Sequence, residues 1–371
     1  MCCVADVPHL IRRELFRLLT IHRSRIILVS GIGKEDKLSI NGKRKNAEAR
    51  KNDNARIKDR CQRSKCFGPC HTVLSTHGLI IRQWVFFLRF HGDTSIMTTD
   101  NSAEDDHHRR SDFVREFIQR SVSRAAPSLF DRKIPKRIVQ FWDNLNRLPS
   151  DVRECIETWS QLEEQGFERL LFDKQQAGDF INRKLGIRYK RAYDNCYHPA
   201  MQSDFFRLCY IFEMGGCYID ADDVYNGAQI QHLFSDERLK IQPLCYDMST
   251  HMMVPPSIFT KHGGNVTSWI FYFNNNPLIA GSGHPVIERA LIQATLSLEK
   301  DLLNGLPEIQ SATGPGNLTK SIFDAVTKNG EIEETLLLLS SWEDIAKSRW
   351  ELSYRNDARN WRLSNCQSYK G

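Results

Sequence analysis

The sequence predicts an α/β fold in which a largely parallel, twisted sheet is flanked by helices. Two observations support this prediction. From residue 134 onward, apolar β-branched segments alternate with amphipathic segments of helical period. Residues 203–222 then combine a helical pattern, a glycine pair and a short apolar segment that ends in acidic residues. Because strands separated by helices usually pair in parallel, we expect a mostly parallel sheet.

The chain of 371 residues has a globular composition but an uneven distribution of charge. It is 41% hydrophobic and 26% charged, which excludes wholesale disorder and fibrous repeats. Residues 1–96 carry 19 Lys and Arg against 8 Asp and Glu, whereas residues 97–371 carry 32 basic and 37 acidic residues. We therefore predict a basic, poorly ordered leader (1–96), a linker with an N-terminal helix (97–130) and a globular domain (131–371).

The leader contains no clear functional motif. Cys61, Cys66, Cys70 and His71 resemble a zinc cluster, but their spacing is wider than the usual two intervening residues and no second ligand pair follows. The positive charge could contact anionic lipid or nucleic acid, although no aromatic interleaving supports a nucleic-acid site. Since the composition changes at Met97, one hypothesis is that this methionine is the natural start.

Nothing in the sequence indicates a secreted or membrane-spanning protein. No apolar run reaches the roughly 20 residues that span a bilayer, and the first residues lack the pattern of a secretory signal. The 11 cysteines are scattered and do not form a disulfide framework. We expect a cytoplasmic protein with reduced thiols, for which peripheral contact with a membrane stays open.

The elements of the globular part follow from local patterns. Residues 115–124 favour an amphipathic helix, and residues 134–142 favour a strand after Pro135. Helical patterns at 151–165 and 173–184 flank a short strand at 169–172. This order of strand, helix, strand and helix predicts parallel pairing.

Residues 203–216 predict a buried helix that ends at glycine. Its apolar residues recur at positions i, i+3, i+4 and i+7, which is the pattern of a buried stripe. Asp204 and Arg207 are three residues apart, so their side chains project near one another. Gly215 and Gly216 end the helix, because glycine adopts the left-handed conformation without a steric clash.

Asp220 and Asp222 come directly after the short apolar segment 217–219. Side chains two apart in a strand point the same way, and ligands bind at the carboxyl ends of parallel strands. Two carboxylates there repel each other unless one is protonated or a hard cation lies between them. A divalent metal that also holds phosphate oxygens explains the pair best. For Asp223, a solvated turn position is favoured over a role in supporting the site.

The segments Asp204-Phe-Phe-Arg207 and Gly215-Gly216-Cys-Tyr-Ile-Asp220-Ala-Asp222 resemble the sugar-binding region of the DXD-containing glycosyltransferases of family 32. That group includes the yeast Och-type mannosyltransferases and capsular-polysaccharide transferases, and the clostridial glucosylating toxins share its core. The resemblance runs from about residue 134 to residue 361 and does not touch the leader.

Three further segments occur in the order that the family shows. Residues 134–142 are similar to its opening IPKxIHQxW strand, with Val139 in place of the usual His. Residues 275–285 are similar to its NxxIAxxxGHP element, and residues 313–315 match its TGP turn. Residues 359–361 could stand for its late aromatic element, although that match is loose. His284 is expected to begin a helix and His198 to pack in the interior.

The resemblance implies a Rossmann-like GT-A fold that binds a nucleotide sugar with Mn²⁺ or Mg²⁺. In this reading Trp142 stacks on the base, Asp220 addresses the sugar or ribose, and Asp222 and Asp220 bind the metal. The implied catalytic residues are Asp204, Arg207, Asp220 and Asp222; the implied donor-binding residues are Trp142, Asp204, Arg207, Asp220, Asn276 and Trp361.

The leading functional hypothesis is a metal-dependent, retaining transfer of a hexose from a UDP- or GDP-linked sugar to a glycan, lipid or protein acceptor. Two alternatives stay open. A glycoside hydrolase or phosphohydrolase could use Asp204 with Asp220 or Asp222 as its acid pair. A non-catalytic protein could bind sugar or nucleic acid through its basic leader.

Overall fold

The computed structural model describes residues 101–122, 133–261, 266–300, 305–328, 330–367 and 369. The predictions about the leader, including the cysteines at 61, 66 and 70, His71 and the start at Met97, lie outside the described residues.

Ten α-helices and nine strands, joined by short 3-10 helices and loops, form the described part of the chain. The helices are α1 Asn101–Val122, α2 Ser150–Thr158, α3 Lys174–Leu185, α4 Ile187–Asp194, α5 Pro199–Met214, α6 Pro256–Phe259, α7 Pro285–Glu299, α8 Ile309–Ala312, α9 Pro315–Lys328 and α10 Trp361–Ser364. The strands are β1 Arg137–Phe141, β2 Glu168–Phe172, β3 Gly216–Tyr218, β4 Asp223–Tyr225, β5 Leu239–Asp247, β6 Met252–Val254, β7 Trp269–Ala280, β8 Leu336–Leu338 and β9 Ala346–Ser348.

A seven-stranded sheet lies at the centre of the described residues. Its order is β2-β1-β3-β7-β5-β6, with β8 paired to β5. The pairs β1–β2, β1–β3 and β5–β8 are parallel, whereas β7 is antiparallel to both β3 and β5, and β6 is antiparallel to β5. Five strands therefore share one direction, and β6 and β7 run the opposite way. Strands β4 and β9 form a separate antiparallel ribbon.

The predicted α/β class is confirmed, and the early elements lie where their patterns indicate. Helix α1 differs, because it begins at Asn101 rather than at residue 115. Its first half is polar and carries the ion pair Arg110–Asp106, four residues apart, and the pair Arg115–Asp112, three apart, follows directly after it. Such pairs stabilise a helix without apolar periodicity, so the periodicity did not reveal this part.

The glycine pair ends α5 as predicted. Gly215 and Gly216 have φ of 64° and 119°, in the region that favours glycine. A Cβ on Gly215 would lie 3.0 Å from the Ser282 nitrogen, and one on Gly216 would lie 3.1 Å from the Arg137 oxygen. The pair therefore lets β3 lie directly against its neighbours, and β3 leads into the acidic segment.

Candidate active site

A cavity of about 660 Å³ lies at the edge of the sheet where β1 and β3 end. Trp142 follows the last residue of β1, and Asp220 comes two residues after β3, so parallel pairing brings both to the same edge. All the site residues that the sequence predicts line this cavity: Trp142, Asp204, Arg207, Asp220, Asp222, Asn276 and Trp361.

Arg207 on α5 is the centre of a buried ion cluster. Its Nη2 lies 3.0 Å from Asp204 Oδ1 and 2.9 Å from Asp220 Oδ1, and the side chain is 3% exposed. It also donates to the backbone oxygen of Asn275 and to Ser203 Oγ, both at 2.9 Å. The guanidinium lies 4.4 Å from the centre of the Tyr218 ring. Two negative charges and one positive charge are thus held together, with Arg207 and Asp204 buried and the Asp220 side chain 33% exposed.

Asp204 joins three elements at the cavity wall. Its Oδ1 accepts a hydrogen bond of 2.8 Å from Asn275 Nδ2 on β7, and its Oδ2 accepts one of 3.5 Å from Thr313 Oγ1. Burial raises the pKa of the Asp204 carboxyl, and the charge of Arg207 opposes this rise. Asp204 therefore connects α5, β7 and the turn at Thr313.

Asn276 organises the acidic segment after β3. Its Oδ1 accepts from the backbone nitrogen of Asp220 at 3.0 Å, and its Nδ2 donates to Asp223 Oδ2 at 2.9 Å. Asp223 is 2% exposed and begins β4, so the prediction of a solvated turn residue is wrong. It escaped local reasoning because its partner Asn276 belongs to a strand more than fifty residues away.

The three acids after β3 repel one another. Burial raises the pKa of Asp220 to about 6. The charge of Arg207 lowers this pKa, and the charge of Asp222 raises it. Burial, together with the charges of Asp222 and Asp220, raises the pKa of Asp223 to about 8. A cation placed between these groups would remove this repulsion.

The carboxylates fit a divalent cation that is shared with phosphate. Mg²⁺ is usually held by one or two carboxylates together with substrate phosphates and water. In the described residues, Asp220 Oδ2 and Asp222 Oδ1 accept no hydrogen bond, so each carboxylate keeps one oxygen for a ligand. The same part of the chain holds no cluster of three or more metal-ligating side chains. The donor set therefore suits a cation that the substrate helps to hold.

The segment 342–364 covers the other side of the cavity. Asp222 Oδ2 accepts a hydrogen bond of 2.8 Å from the Tyr354 hydroxyl and pairs with the Arg355 guanidinium. The backbone oxygen of Asp222 accepts from the Arg349 nitrogen at 2.8 Å. The DXD segment is thus bound directly to a part of the chain that lies more than 120 residues further along.

Aromatic and cationic side chains alternate on this wall. Trp142 packs edge-on against Tyr354, with 5.3 Å between ring centres, and the Arg359 guanidinium lies 5.9 Å from the centre of the Trp142 ring. The indole nitrogen of Trp142 is buried and has no hydrogen-bond partner among the described residues. Trp361 lines the cavity beside Arg362, whose guanidinium is 4.7 Å from its ring centre.

Sequence reasoning missed several residues of this wall. Trp350, Tyr354, Arg355 and Arg362 all line the cavity. One signal could have found them, because residues 342–362 contain three Trp and four Arg. Such a density of aromatic and guanidinium groups is typical of surfaces that bind anionic, planar ligands.

His198 and His284 each cap the N-terminus of a helix. His198 precedes α5, accepts from the Ala200 nitrogen and contacts the Ala358 oxygen at 2.9 Å. His284 precedes α7 and accepts from the Val286 nitrogen. The predicted helix start at His284 and the interior packing of His198 are both confirmed.

Comparison with known proteins gives one informative match. Residues 149–239, less than half of the chain, match the family model described as the glycosyltransferase sugar-binding region containing a DXD motif. This region is similar to DXD glycosyltransferases. It runs from the start of α2 to the first residue of β5, and it includes Asp204, Arg207, Asp220 and Asp222. The match supports a DXD glycosyltransferase without distinguishing family 32 or the Och type.

The remaining comparisons are distant. No curated protein matches the chain. Among solved structures, the PaToxG glycosyltransferase is similar with a TM-score of 0.37 and 15% sequence identity, over 63% of this chain and 83% of that one. A likeness of this degree supports no conclusion about the chain. Within the described residues, no helix has both the length and the apolar character required to cross a membrane.

Proposed function

We propose that this protein transfers a hexose from a UDP- or GDP-linked sugar to a glycan, lipid or protein acceptor. The transfer depends on Mn²⁺ or Mg²⁺ and retains the anomeric configuration. The observation that carries the proposal is the convergence of Asp220, Asp222, the Asp204–Arg207 pair and Trp142 on one cavity. The cavity volume of about 660 Å³ is in the range of small-molecule sites.

Each residue has a defined task in this proposal. Trp142 stacks on the base, since its indole offers a large apolar face. Asp204, Arg207 and Asn276 orient the sugar and ribose hydroxyls, and Trp361 closes the donor side. Asp222, with Asp220, holds the divalent cation.

Charge determines the chemistry of the proposed reaction. Departure of the nucleoside diphosphate places negative charge on its phosphate oxygens, which a bound divalent cation neutralises. Arg207 keeps Asp220 ionised and fixed in orientation, since the guanidinium pairs with it at 2.9 Å. An ionised carboxylate near the anomeric carbon stabilises positive charge that develops there. The aromatic wall at 342–364 limits the access of water to this region.

Ligand-dependent thermal stability tests the proposal. A panel of nucleoside diphosphates and nucleotide sugars, each with and without Mn²⁺, is applied to the wild type and to Asp222→Asn. We expect one nucleotide class to raise Tm, and to do so only with Mn²⁺. A ligand at 100 times its Kd adds about 2.7 kcal/mol to the free energy of unfolding. The increase should vanish in Asp222→Asn.

A matched control separates the site from general effects of charge. Asp194 is exposed and pairs only locally, with Lys190, so Asp194→Asn should keep the full increase in Tm. Absence of any nucleotide effect in the wild type contradicts the proposal and favours a hydrolase, since a hydrolase needs no nucleotide.

A further inference from the structure

Two arginines of the segment 342–364 lie on the same tryptophan at the cavity wall. The guanidinium of Arg355 is 4.2 Å from the ring centre of Trp350, and that of Arg362 is 4.8 Å from it. Both arginines line the cavity. We refer to Arg355 and Arg362 as the C-terminal arginine pair.

This pair carries more positive charge than its surroundings balance. Arg355 has one carboxylate partner, Asp222, and its Nε is buried without a hydrogen bond. Arg362 has no ion-pair partner among the described residues, and its Nε is likewise buried and unbonded. A buried cation without a counter-ion is costly, and two adjacent cations add mutual repulsion. The cavity wall therefore has the character of an anion-binding site.

The chemistry of the pair identifies the anion. A guanidinium presents parallel N–H donors that match the oxygens of a phosphate, and two guanidiniums together match a doubly charged group. The acidic residues Asp220 and Asp222 line the same cavity, so a bare carboxylate ligand would meet repulsion there. A diphosphate that arrives with a divalent cation satisfies both the arginines and the acids.

We propose that Arg355 and Arg362 bind the diphosphate of the donor, and that Arg355 occupies Asp222 only until a divalent cation replaces it. The proposal rests on the proposed function and adds these two residues to it. Its second part follows from the shared carboxylate, because Asp222 Oδ2 accepts from both Tyr354 and Arg355, whereas Oδ1 accepts no hydrogen bond from the described residues. A cation bound at Oδ1 repels the Arg355 guanidinium at Oδ2, and the diphosphate offers that guanidinium a new partner.

The proposal predicts effects of opposite sign in one variant. In Arg355→Gln, Mn²⁺ alone should bind about three- to tenfold more tightly, because the internal competitor for Asp222 is gone. The same variant should bind nucleoside diphosphate more weakly, because one phosphate partner is gone. A merely structural role would weaken both, since a distorted wall loses both sites.

The first measurement titrates Mn²⁺ into the full chain without nucleotide, with free Mn²⁺ followed by electron paramagnetic resonance. Wild type, Arg355→Gln and Arg362→Gln are compared. Arg349→Gln is the matched control, because the Arg349 side chain is exposed, pairs with Glu154 and does not line the cavity. We expect tighter Mn²⁺ binding in Arg355→Gln and wild-type binding in Arg349→Gln.

The second measurement separates the phosphate contacts from the base contacts. With saturating Mn²⁺, calorimetry compares three probes. The first is whichever of uridine diphosphate and guanosine diphosphate binds more tightly, the second is the free nucleoside of that diphosphate, and the third is inorganic pyrophosphate. Arg355→Gln and Arg362→Gln should each weaken the diphosphate and pyrophosphate roughly tenfold or more, and should leave the nucleoside unchanged.

Three results of these titrations would each overturn one claim. If the wild type binds no nucleoside diphosphate, the proposed function itself fails. If the wild type binds nucleoside diphosphate and both variants bind diphosphate and pyrophosphate as tightly as the wild type does, the arginine pair is not the phosphate site. If Arg355→Gln weakens Mn²⁺, diphosphate and nucleoside alike, the residue is structural and the exchange at Asp222 is excluded.

Discussion

Arg207 connects several of the groups that line the cavity. It pairs with Asp204 and Asp220 and also holds the backbone of β7 through the Asn275 oxygen. Because Asp204 is buried and Asp220 is only partly exposed, removing the cation between them leaves two charges without compensation. The residue therefore contributes to the stability of the fold as well as to the site.

Removal of the Arg207 charge should destabilise the protein strongly. We expect Arg207→Gln to lower the free energy of unfolding by about 3 to 5 kcal/mol at neutral pH, the usual cost of breaking a buried ion pair. Arg188→Gln is the control, since Arg188 pairs with Glu299 at the surface and should cost about 1 kcal/mol or less. Urea denaturation followed by circular dichroism measures both. Equal losses in the two variants would contradict the account.

At this scale, the sequence predicted the residues that share one local motif and missed those that meet across the chain. Asp204 and Arg207 are three apart on a helix, and Asp220 and Asp222 are two apart after a strand, so spacing alone relates each pair. Arg355 reaches Asp222 across 133 positions, and no local period describes that contact. Tertiary packing therefore decides which side chains complete the site.

At the scale of elements, the ends of helices are determined by short-range chemistry. The glycines that end α5 and the histidine that precedes α7 were both recognised from the sequence. The long strand β7 was less evident, because its polar centre Asn274-Asn275-Asn276 does not look like a buried strand. The side-chain amides of these residues donate hydrogen bonds to Gln242, Asp204 and Asp223. Because these partners are distant in sequence, the strand can be recognised as buried only in the folded structure.

The turn after α5 should tolerate no side chain. Gly215→Ala combines an unfavourable φ of 64° with contacts of 3.0 to 3.2 Å to backbone and proline atoms, and we expect a loss of about 2 to 4 kcal/mol. Gly166→Ala is the matched control, with a φ of 79° but nothing within 4 Å of its Cβ. It should lose about 1 to 2 kcal/mol, the backbone cost alone. Thermal unfolding compares them, and a larger loss in the control contradicts the packing argument.

The cap of α7 should make the protein sensitive to acid. Burial lowers the pKa of His284 from its ordinary 6.5 to about 4, and its Nδ1 accepts from Val286 only when the ring is neutral. Between pH 6.5 and 4, His284 is therefore protonated in the unfolded chain but neutral in the folded chain. Stability from this group is complete above pH 6.5 and is lost as the pH falls, by up to about 3 kcal/mol.

Comparison of two variants isolates this contribution. His284→Asn keeps an oxygen that can cap the helix but does not titrate, so its stability should fall less between pH 6.5 and 4.5 than that of the wild type. His232→Asn, at an exposed position, should follow the wild type. Urea denaturation at several pH values measures the difference, and identical profiles for His284→Asn and the wild type would refute the role of the cap.

At the scale of the whole molecule, the sequence predicted the fold class and the dominant strand direction. It did not predict the antiparallel strand β7 between β3 and β5, because an apolar pattern carries no direction. It also did not predict that segment 342–364 closes the cavity. These features depend on long-range pairing, which local propensity does not encode.

The leader should be dispensable for donor binding. The described residues that line the cavity lie between positions 141 and 362, and we expect deletion of residues 1–96 to leave the Kd for nucleoside diphosphate with Mn²⁺ within about twofold of the full chain. Calorimetry measures this. Loss of binding on deletion would instead favour a protein that binds its partners through the basic leader.

The central claim is that the acids after β3 support transfer from a nucleotide sugar. Its most direct test incubates the purified chain with UDP- and GDP-linked hexoses and Mn²⁺ and follows release of nucleoside diphosphate, with Asp222→Asn and chelator as parallel samples. The account predicts release from one nucleotide class, abolished by chelator and lowered at least about a hundredfold in Asp222→Asn. Undiminished release from Asp222→Asn, or cleavage of simple glycosides without any nucleotide, would contradict it.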